Sequence, residues 1–272
     1  MRLEDEFRKI ITKVTAQSTI PPIEKVFFPP FYKGGQPRDA EFMAISLEGG
    51  AAGLSFVLLP DSKGDSYMAL QPSDFIGKDP QEYALEFGSD DPLKQMLSLA
   101  CINAICQQAM QESHFEVDSS TDSLGLLSIS KSDRVGMVGL FPPLIKTIRN
   151  VGAQFVVVEK KADLIKQFPH LPITLDAAEL QTCNKILCTS TTVLNNSLDD
   201  ILAHRSPGAL VAVIGPTAGY FPDPLFARGV DVVGGRMIKN GNMLIQRLEQ
   251  GERWGDATQR TCFRKETYTG IL

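Results

Sequence analysis

The stretch Arg134-Val-Gly-Met-Val-Gly-Leu-Phe-Pro-Pro-Leu-Ile-Lys-Thr-Ile-Arg-Asn-Val-Gly-Ala-Gln-Phe-Val-Val-Val-Glu159 decides the fold of this chain. Its pattern predicts a strand, a glycine turn, a helix and a second strand that ends at an acidic residue. This is the first half of a nucleotide-binding type of α/β unit, in which the turn lets the backbone approach a ligand. The turn lacks the third glycine of G-x-G-x-x-G, so the unit indicates the architecture better than it indicates the ligand.

The patterns on either side of this unit differ. Downstream, strand and helix patterns alternate, and the continuous apolar strand Leu210-Val-Ala-Val-Ile is typical of a parallel sheet that is buried on both faces. Upstream, a helical stripe over residues 3–18, two strands and a long apolar helix over residues 92–112 predict an α+β unit. The polar run SHFEVDSSTDS at residues 113–123 breaks both periods and is interpreted as a linker. The predicted fold class is therefore α/β, with a small α+β domain over residues 1–118 and a Rossmann-like parallel-sheet domain over residues 124–272.

Composition and charge narrow the classes of partner. The 272 residues are 43% hydrophobic and 22% charged, which is ordinary for a globular protein. The net charge of −5 does not provide the excess of basic residues that is typical of nucleic-acid-binding proteins. No apolar run approaches the ~18 residues that a membrane span needs, and the charged N-terminus lacks the apolar core of a signal peptide. We expect a cytoplasmic protein that binds a small molecule or a metal and has no nucleic-acid or membrane partner. The sequence leaves open whether the protein forms a homo-oligomer.

The residues that usually identify a metal site or a reaction are scattered. The five cysteines form no C-x-x-C pair, which favours reduced core thiols over a disulfide or a structural zinc, and the three histidines are not grouped with them. The chain has no G-x-S-x-G, no phosphate loop and no H-E-x-x-H. Hydrolase and kinase functions are disfavoured accordingly.

Ligands of open parallel sheets bind beyond the carboxyl ends of the strands. The loops at that edge are expected at residues 139–143, 159–163, 189–197 and 215–222. Together with Asp176, which follows a further apolar segment, they supply the following candidate ligand-binding residues: Gly139, Phe141, Pro142, Glu159, Asp176, Thr191, Thr192, Asn195, Gly215, Pro216 and Thr217.

Each of these candidates also has a purely structural explanation. Gly139 could make only a tight turn, and Glu159 could be a surface acid beside Lys160. Helix capping explains one or two residues of the polar run 189–197, and because Asn196 and Ser197 can both cap, Asn195 is predicted to face the crevice. Ligands are expected to contact mainly these loops, and hence mainly the parallel-sheet domain.

An amide in the long helix and two aromatic residues in the fourth loop are further candidates. Asn103 lies in the middle of the apolar helix, where its amide needs either a buried partner or a ligand. Tyr220 or Phe221, in the fourth loop, is expected to cover a flat ligand.

Three segments carry a family resemblance: VGMVGLFPPLI, CTSTTVLNNSLDDIL and GPTAGYFPDPLFARGVDVVGG. In order and spacing, over about residues 125–255, they resemble the family named "putative heavy-metal chelation". The residues that match its motifs are Gly139, Phe141, Pro142, Thr191, Thr192, Asn195, Gly215 and Pro216. The sequence Ala100-Cys-Ile-Asn-Ala104 is similar to the companion N-terminal domain of that family, whereas Ala218-Gly-Tyr and Cys188-Thr-Ser depart from the pattern.

This resemblance implies an N-terminal domain similar to the amino-terminal domain of enolase, joined to a Rossmann-like domain, with the ligand between them. The leading hypothesis is a protein that binds a small polar or metal-chelating ligand in an interdomain cleft, with a role in heavy-metal chelation or in the metabolism of a metal cofactor or chelator. Its cofactor would be a divalent metal or a metal-chelating small molecule. The alternatives are a transferase that uses a nucleotide or S-adenosylmethionine, and a non-catalytic regulatory protein.

Overall fold

The computed structural model describes residues 1–37, 41–113 and 127–270. The predicted linker at residues 113–123 lies, apart from Ser113, outside the described residues, so the two domain boundaries stay predictions. No helix within the described ranges has both the length and the apolar character that crossing a membrane requires.

The N-terminal part is a small antiparallel sheet with helices, as predicted. Its strands are β1 (Ile23–Phe27), β2 (Phe42–Leu47) and β3 (Ala52–Phe56), in the order β1-β2-β3. Its helices are α1 (Leu3–Gln17), α2 (Gly64–Met68), α3 (Pro80–Ala84) and α4 (Pro92–Glu112), with 3₁₀ turns at Asp61–Lys63 and Pro72–Asp74. Helix α4 begins where Asp91 accepts a hydrogen bond from the Leu93 amide and Pro92 takes the first helical position. Sixteen of its 21 residues are buried, so it is a central helix and not an amphipathic surface helix.

The C-terminal part is a seven-stranded sheet in the order β10-β9-β8-β7-β4-β5-β6. Its strands are β4 (Arg134–Val138), β5 (Gln154–Val158), β6 (Ile173–Thr174), β7 (Lys185–Thr189), β8 (Leu210–Ile214), β9 (Val232–Ile238) and β10 (Thr258–Arg264). Its helices are α5 (Pro142–Val151), α6 (Asp163–Gln167), α7 (Thr191–Leu194), α8 (Leu198–Ala203), α9 (Asp223–Ala227) and α10 (Gly241–Glu249), with 3₁₀ turns at Ala177–Thr182 and Gly255–Ala257. All neighbouring strands pair in parallel except β10, which pairs antiparallel with β9. The predicted α/β fold class is confirmed.

The strand order sets the place where a ligand can bind. From β4 the chain adds β5 and β6 on one side, and then returns to add β7, β8 and β9 on the other side. The connections that leave β4 and β7 therefore diverge, which opens a crevice at their carboxyl ends. This topological switch point lies between β4 and β7.

Helix α4 lies across the carboxyl ends of the strands on one side of the switch point. Three of its amide side chains hydrogen-bond to the segments that follow β7 and β8 and to the last residue of β9. Gln95 Nε2 donates to Asn196 Oδ1 after β7 (3.2 Å), and Asn103 Nδ2 donates to the Thr217 carbonyl after β8 (2.8 Å). The Ile238 amide, at the end of β9, donates to Gln107 Oε1 (2.7 Å). The first domain thus covers the β8 and β9 part of this edge.

A glycine lets α4 approach the small sheet closely. A Cβ on Gly53 in β3 would lie 2.1 Å from the Ala100 carbonyl oxygen and 2.5 Å from the Ala104 nitrogen. Both contacts are with the backbone of α4, which cannot move aside as a flexible side chain can. Gly53 therefore sets the distance between β3 and the helix.

Gly53→Ala should lower the free energy of unfolding by about 1–3 kcal/mol, because the added methyl group overpacks this contact. Gly255→Ala is the matched control, since a Cβ there meets no atom within 4 Å. Urea denaturation compares the two variants, and equal stabilities would contradict this account of Gly53.

Candidate functional site

The loops that follow β4, β7 and β8 lie together at the carboxyl edge of the sheet, which is the edge where the sequence analysis expects a ligand. Gly139, after β4, has a φ of +89°, and a Cβ there would lie 3.2 Å from Thr189 Cγ2. A Cβ on Gly215, after β8, would lie 2.3 Å from Ser190 Oγ. The β7 loop is therefore wedged between the other two, and both glycines are needed for this close approach.

Glu159 connects the end of β5 to the β4 loop. Its Oε1 accepts a hydrogen bond from the Leu140 amide at 2.7 Å, and its Oε2 accepts one from the Lys160 amide at 3.1 Å. In dinucleotide folds an acid at this place accepts hydrogen bonds from ribose hydroxyls. Here the carboxylate holds the β4 loop in position. Because Glu159 is only half-buried and each carboxylate oxygen has a second lone pair, both oxygens can accept a further hydrogen bond.

The threonines of the β7 loop divide between surface and interior. Thr191 is half-buried, and its hydroxyl is hydrogen-bonded to the Thr189 hydroxyl. Thr192 is buried, and its hydroxyl lies 2.7 Å from the Thr189 carbonyl oxygen and 3.3 Å from Cys188 Sγ. The expectation that Thr192 presents a hydroxyl to the crevice is therefore wrong, because that hydroxyl bonds back to the preceding turn.

Asn195 is exposed and already has a local partner. Its Oδ1 accepts hydrogen bonds from Ser197 Oγ (2.5 Å) and from the Ser197 amide (3.2 Å). Ser197 makes no side-chain cap on α8, and Asn196 is left-handed (φ +55°) and bonded to Gln95. The expectation that Asn196 or Ser197 caps α8 with its side chain is therefore wrong, and Asn195 bonds to Ser197 instead of being left without a local partner. Among the described residues, no hydrogen bond engages Asn195 Nδ2, so that amide group can still donate to a ligand.

The structure places Asn103 in the domain interface. It is 1% exposed, and Nδ2 donates to the carbonyl oxygens of Leu54 (2.7 Å) and Thr217 (2.8 Å). Thr217 is also buried. The amide of Asn103 therefore has buried protein partners, which is the first of the two explanations that the sequence left open.

Two aromatic residues are also in the interior. Tyr220 and Phe221 are 0% and 1% exposed, and the Tyr220 ring packs edge-on against Phe7 at 5.0 Å. The expectation that one of them covers a flat ligand is wrong. The apolar face of their loop is used for packing against α1 and α4.

The remaining predicted residues lie at or near the edge. Phe141 and Pro216 are half-buried, and Pro142 is exposed at the start of α5. Asp176 is exposed, and its Oδ1 caps the turn at 177–182 by accepting from the Ala178 amide at 2.9 Å. No ligand contact tests these residues, which stay predictions.

The N-terminal domain contributes one segment that the sequence reasoning missed. A Cβ on Gly35 would lie 3.2 Å from Lys161 Nζ, in the β5 loop. Gln36 ties this segment into a closed turn, accepting from the Tyr32 amide (2.8 Å) and donating to the Pro30 carbonyl (2.9 Å). The signal was the Gly34-Gly35 pair inside a proline-rich passage, which is typical of an ordered turn.

We call the region bounded by residues 139–141, 159–161, 189–195 and Gly35 the β4–β7 crevice. Two cavities lie elsewhere on the protein. One, of about 860 Å³, opens beyond β9 beside Glu24, Glu48 and Lys239, and the other, of about 300 Å³, runs along α5 beside Arg149 and His170. We favour the crevice over both because it combines the switch point with hydroxyl, carboxylate and ammonium groups.

The side chains do not fit a bare heavy-metal ion. Among the described residues, no three histidines, cysteines or carboxylates come together in a group that could hold one. All five cysteines are buried thiols, and burial raises the pKa of the Cys106 and Cys188 thiols to about 12. These thiols stay protonated at neutral pH, whereas metal ions bind the thiolate.

Comparisons with known proteins agree with the fold. Two family models match the chain, one over residues 122–266 and one over residues 40–106, and both are described as "Putative heavy-metal chelation". No curated protein matches the sequence.

Two solved structures are similar over nearly the whole chain. Both are proteins with unknown function of the same family, one from Pyrococcus horikoshii and one from Desulfitobacterium hafniense DCB-2. The first aligns with a TM-score of 0.70 at 17% identity, covering 96% of this chain and 99% of the other. The second aligns with a TM-score of 0.69 at 17% identity, covering 96% and 98%. At this identity the likeness shows a shared fold.

Asn103→Ala should lower the free energy of unfolding by about 1–3 kcal/mol, because two buried carbonyl oxygens lose their donor. Gln108→Ala, on the same helix, removes only a partly exposed bond to Glu112 and serves as the control. Thermal and urea unfolding measure both. A stable Asn103→Ala variant would show that the interface does not depend on this amide.

Proposed function

Since the chain belongs to the family described as "Putative heavy-metal chelation", we propose that it binds a metal ion as an anionic small-molecule chelate in the β4–β7 crevice. The observation that carries the proposal is the donor set of the crevice. It offers hydroxyl, amide, carboxylate and ammonium groups, but it has no cluster of side chains that could coordinate a bare ion among the described residues. A ligand that supplies its own metal coordination needs only such outer contacts.

The charges favour an anionic ligand. Lys160 and Lys161 are exposed at the end of β5, and Lys161 Nζ reaches the Gly35 turn of the other domain. Glu159 is the acid nearest to them in the chain, and its two oxygens already accept backbone amides. The lysines therefore supply positive charge that can attract a carboxylate-rich chelate.

The backbone at the switch point adds neutral contacts. The left-handed Gly139 leaves the loop without a side chain at its closest approach to Thr189. Thr191 and the free side of Asn195 lie on the next loop and can bond polar atoms of a ligand. These groups bind and orient the ligand, and we assign no reaction to them.

A second candidate is the binding of a nucleotide or of S-adenosylmethionine. It is favoured by one observation, the strand order with a switch point between β4 and β7, where doubly wound folds bind dinucleotides. In that case Glu159 would accept hydroxyl groups of a ribose in addition to the Leu140 amide.

Thermal-shift measurements should separate the two candidates, because a ligand that binds only the folded state raises the melting temperature by mass action. Ni²⁺ alone, citrate alone, the nickel–citrate chelate, ATP and S-adenosylmethionine are compared at one ionic strength. We expect the chelate to stabilise the protein more than either of its components. A larger effect of ATP or S-adenosylmethionine would favour the second candidate, and a tight one-to-one complex with Ni²⁺ alone would refute chelate binding.

Variants locate the site by titration calorimetry. Asn195→Ala and Thr191→Val should each weaken binding of the stabilising ligand by about 5- to 150-fold, as expected when a ligand bond worth roughly 1–3 kcal/mol is lost. Thr147→Val, on the exposed side of α5, is the matched control and should bind like the wild type. Unchanged affinity in both crevice variants would place the ligand elsewhere.

A further inference from the structure

Two arginines face each other across the β9–β10 pair. Arg236 and Arg260 are direct partners in the antiparallel register, so their side chains project from the same face of the sheet. Like charges in directly opposite positions destabilise a sheet. The register of the two strands therefore places two positive charges side by side.

Arg236 is held in place by a hydroxyl group and an aromatic ring, neither of which carries a negative charge. Its Nη1 donates to Thr258 Oγ1 at 2.9 Å, and its Cζ lies 5.6 Å from the centre of the Trp254 ring. Trp254 in turn packs edge-on against Phe42 of the small sheet at 5.9 Å. The guanidinium group is therefore half-buried and oriented by an aromatic ring and a hydroxyl.

No carboxylate among the described residues forms an ion pair with either arginine. The two acids of the adjoining segment, Glu252 and Asp256, are both paired with Arg247. Burial and the charge of Arg260 both lower the pKa of Arg236. An anion bound here would reduce both the repulsion between the two arginines and the cost of burying the charge of Arg236.

We propose that Arg236 and Arg260 form a binding site for the phosphate group of a small molecule, separate from the β4–β7 crevice. Two guanidinium forks present several N–H donors from two strands, which suits the three terminal oxygens and the double charge of a phosphate monoester better than a carboxylate. Two strands, β7 and β8, separate this site from β4, a distance of roughly 14 Å at about 4.8 Å per strand.

The test is the effect of inorganic phosphate on melting temperature and in calorimetry, with sodium chloride holding the ionic strength constant. Phosphate should bind one-to-one to the wild type. Arg260→Gln should weaken that binding by about tenfold or more, because charge-assisted bonds are lost. Arg260 is exposed and has no partner in the described part of the chain, so this variant should fold and, without phosphate, melt no lower than the wild type.

Two controls make the outcome specific. Lys265→Gln removes the same charge just beyond the end of β10, and Lys161→Gln removes a charge from the β4–β7 crevice. Both should retain phosphate binding. The proposal fails if phosphate does not bind the wild type, or if Arg260→Gln and Lys265→Gln bind it equally. It fails too if only Lys161→Gln loses binding, in which case the phosphate occupies the crevice.

Discussion

The position of helix α4 across the carboxyl ends of β7, β8 and β9 is the constraint on which the rest of the structure depends. A helix buried nearly all round would normally carry only apolar side chains at its core positions. This helix carries Gln95, Asn103 and Gln107, and all three amides hydrogen-bond to the other domain, at Asn196, Thr217 and Ile238. Unpaired, each amide would cost about 1–3 kcal/mol, so these bonds fix the rotation and register of the helix on the sheet.

This arrangement decides which part of the sheet edge is open to a ligand. Asn103 and Gln107 close the edge over β8 and β9, where a doubly wound sheet could otherwise admit part of a ligand. The edge over β4 and β7 is left to loops with small or polar side chains, of which Gly139 and Thr191 are examples. The thiols are buried in the core, whereas hydroxyl and ammonium groups lie at the open part of the edge. The groups available to a ligand there are therefore oxygen and nitrogen groups and not thiols.

The sequence predicts the elements well wherever hydrophobic periodicity is strong. Helix α4 has the predicted bounds, and strands β4 and β5 lie within the stretch 134–159 as predicted. Strand β10 had no such signal, because it pairs antiparallel at the edge of the sheet and carries Arg260 and Arg264. Strand β1 lies among prolines that mask its short apolar pattern.

The site was less predictable because its hydrogen bonds join residues that are distant in the sequence. Which loops lie at the carboxyl edge of the sheet could be deduced from the strand pattern alone. The role of Asn103 could not, because its amide joins Leu54 and Thr217, and neither partner has a local signal. The inward turn of Thr192 and the bond from Asn195 to Ser197 depend on the conformation of one loop, which periodicity does not encode.

The two domains share one hydrophobic core, and this bears on how a ligand can enter. The largest cluster of buried residues joins Phe7 and most of α4 to Val138, Cys188 and Tyr220 of the other domain. Opening the domains would expose this surface and break the three amide bonds of α4, which costs far more than a small ligand can supply. A ligand of the proposed β4–β7 crevice would therefore have to enter past its loops and the Gly35 turn, which approaches the other domain at the side chain of Lys161 and not at its backbone.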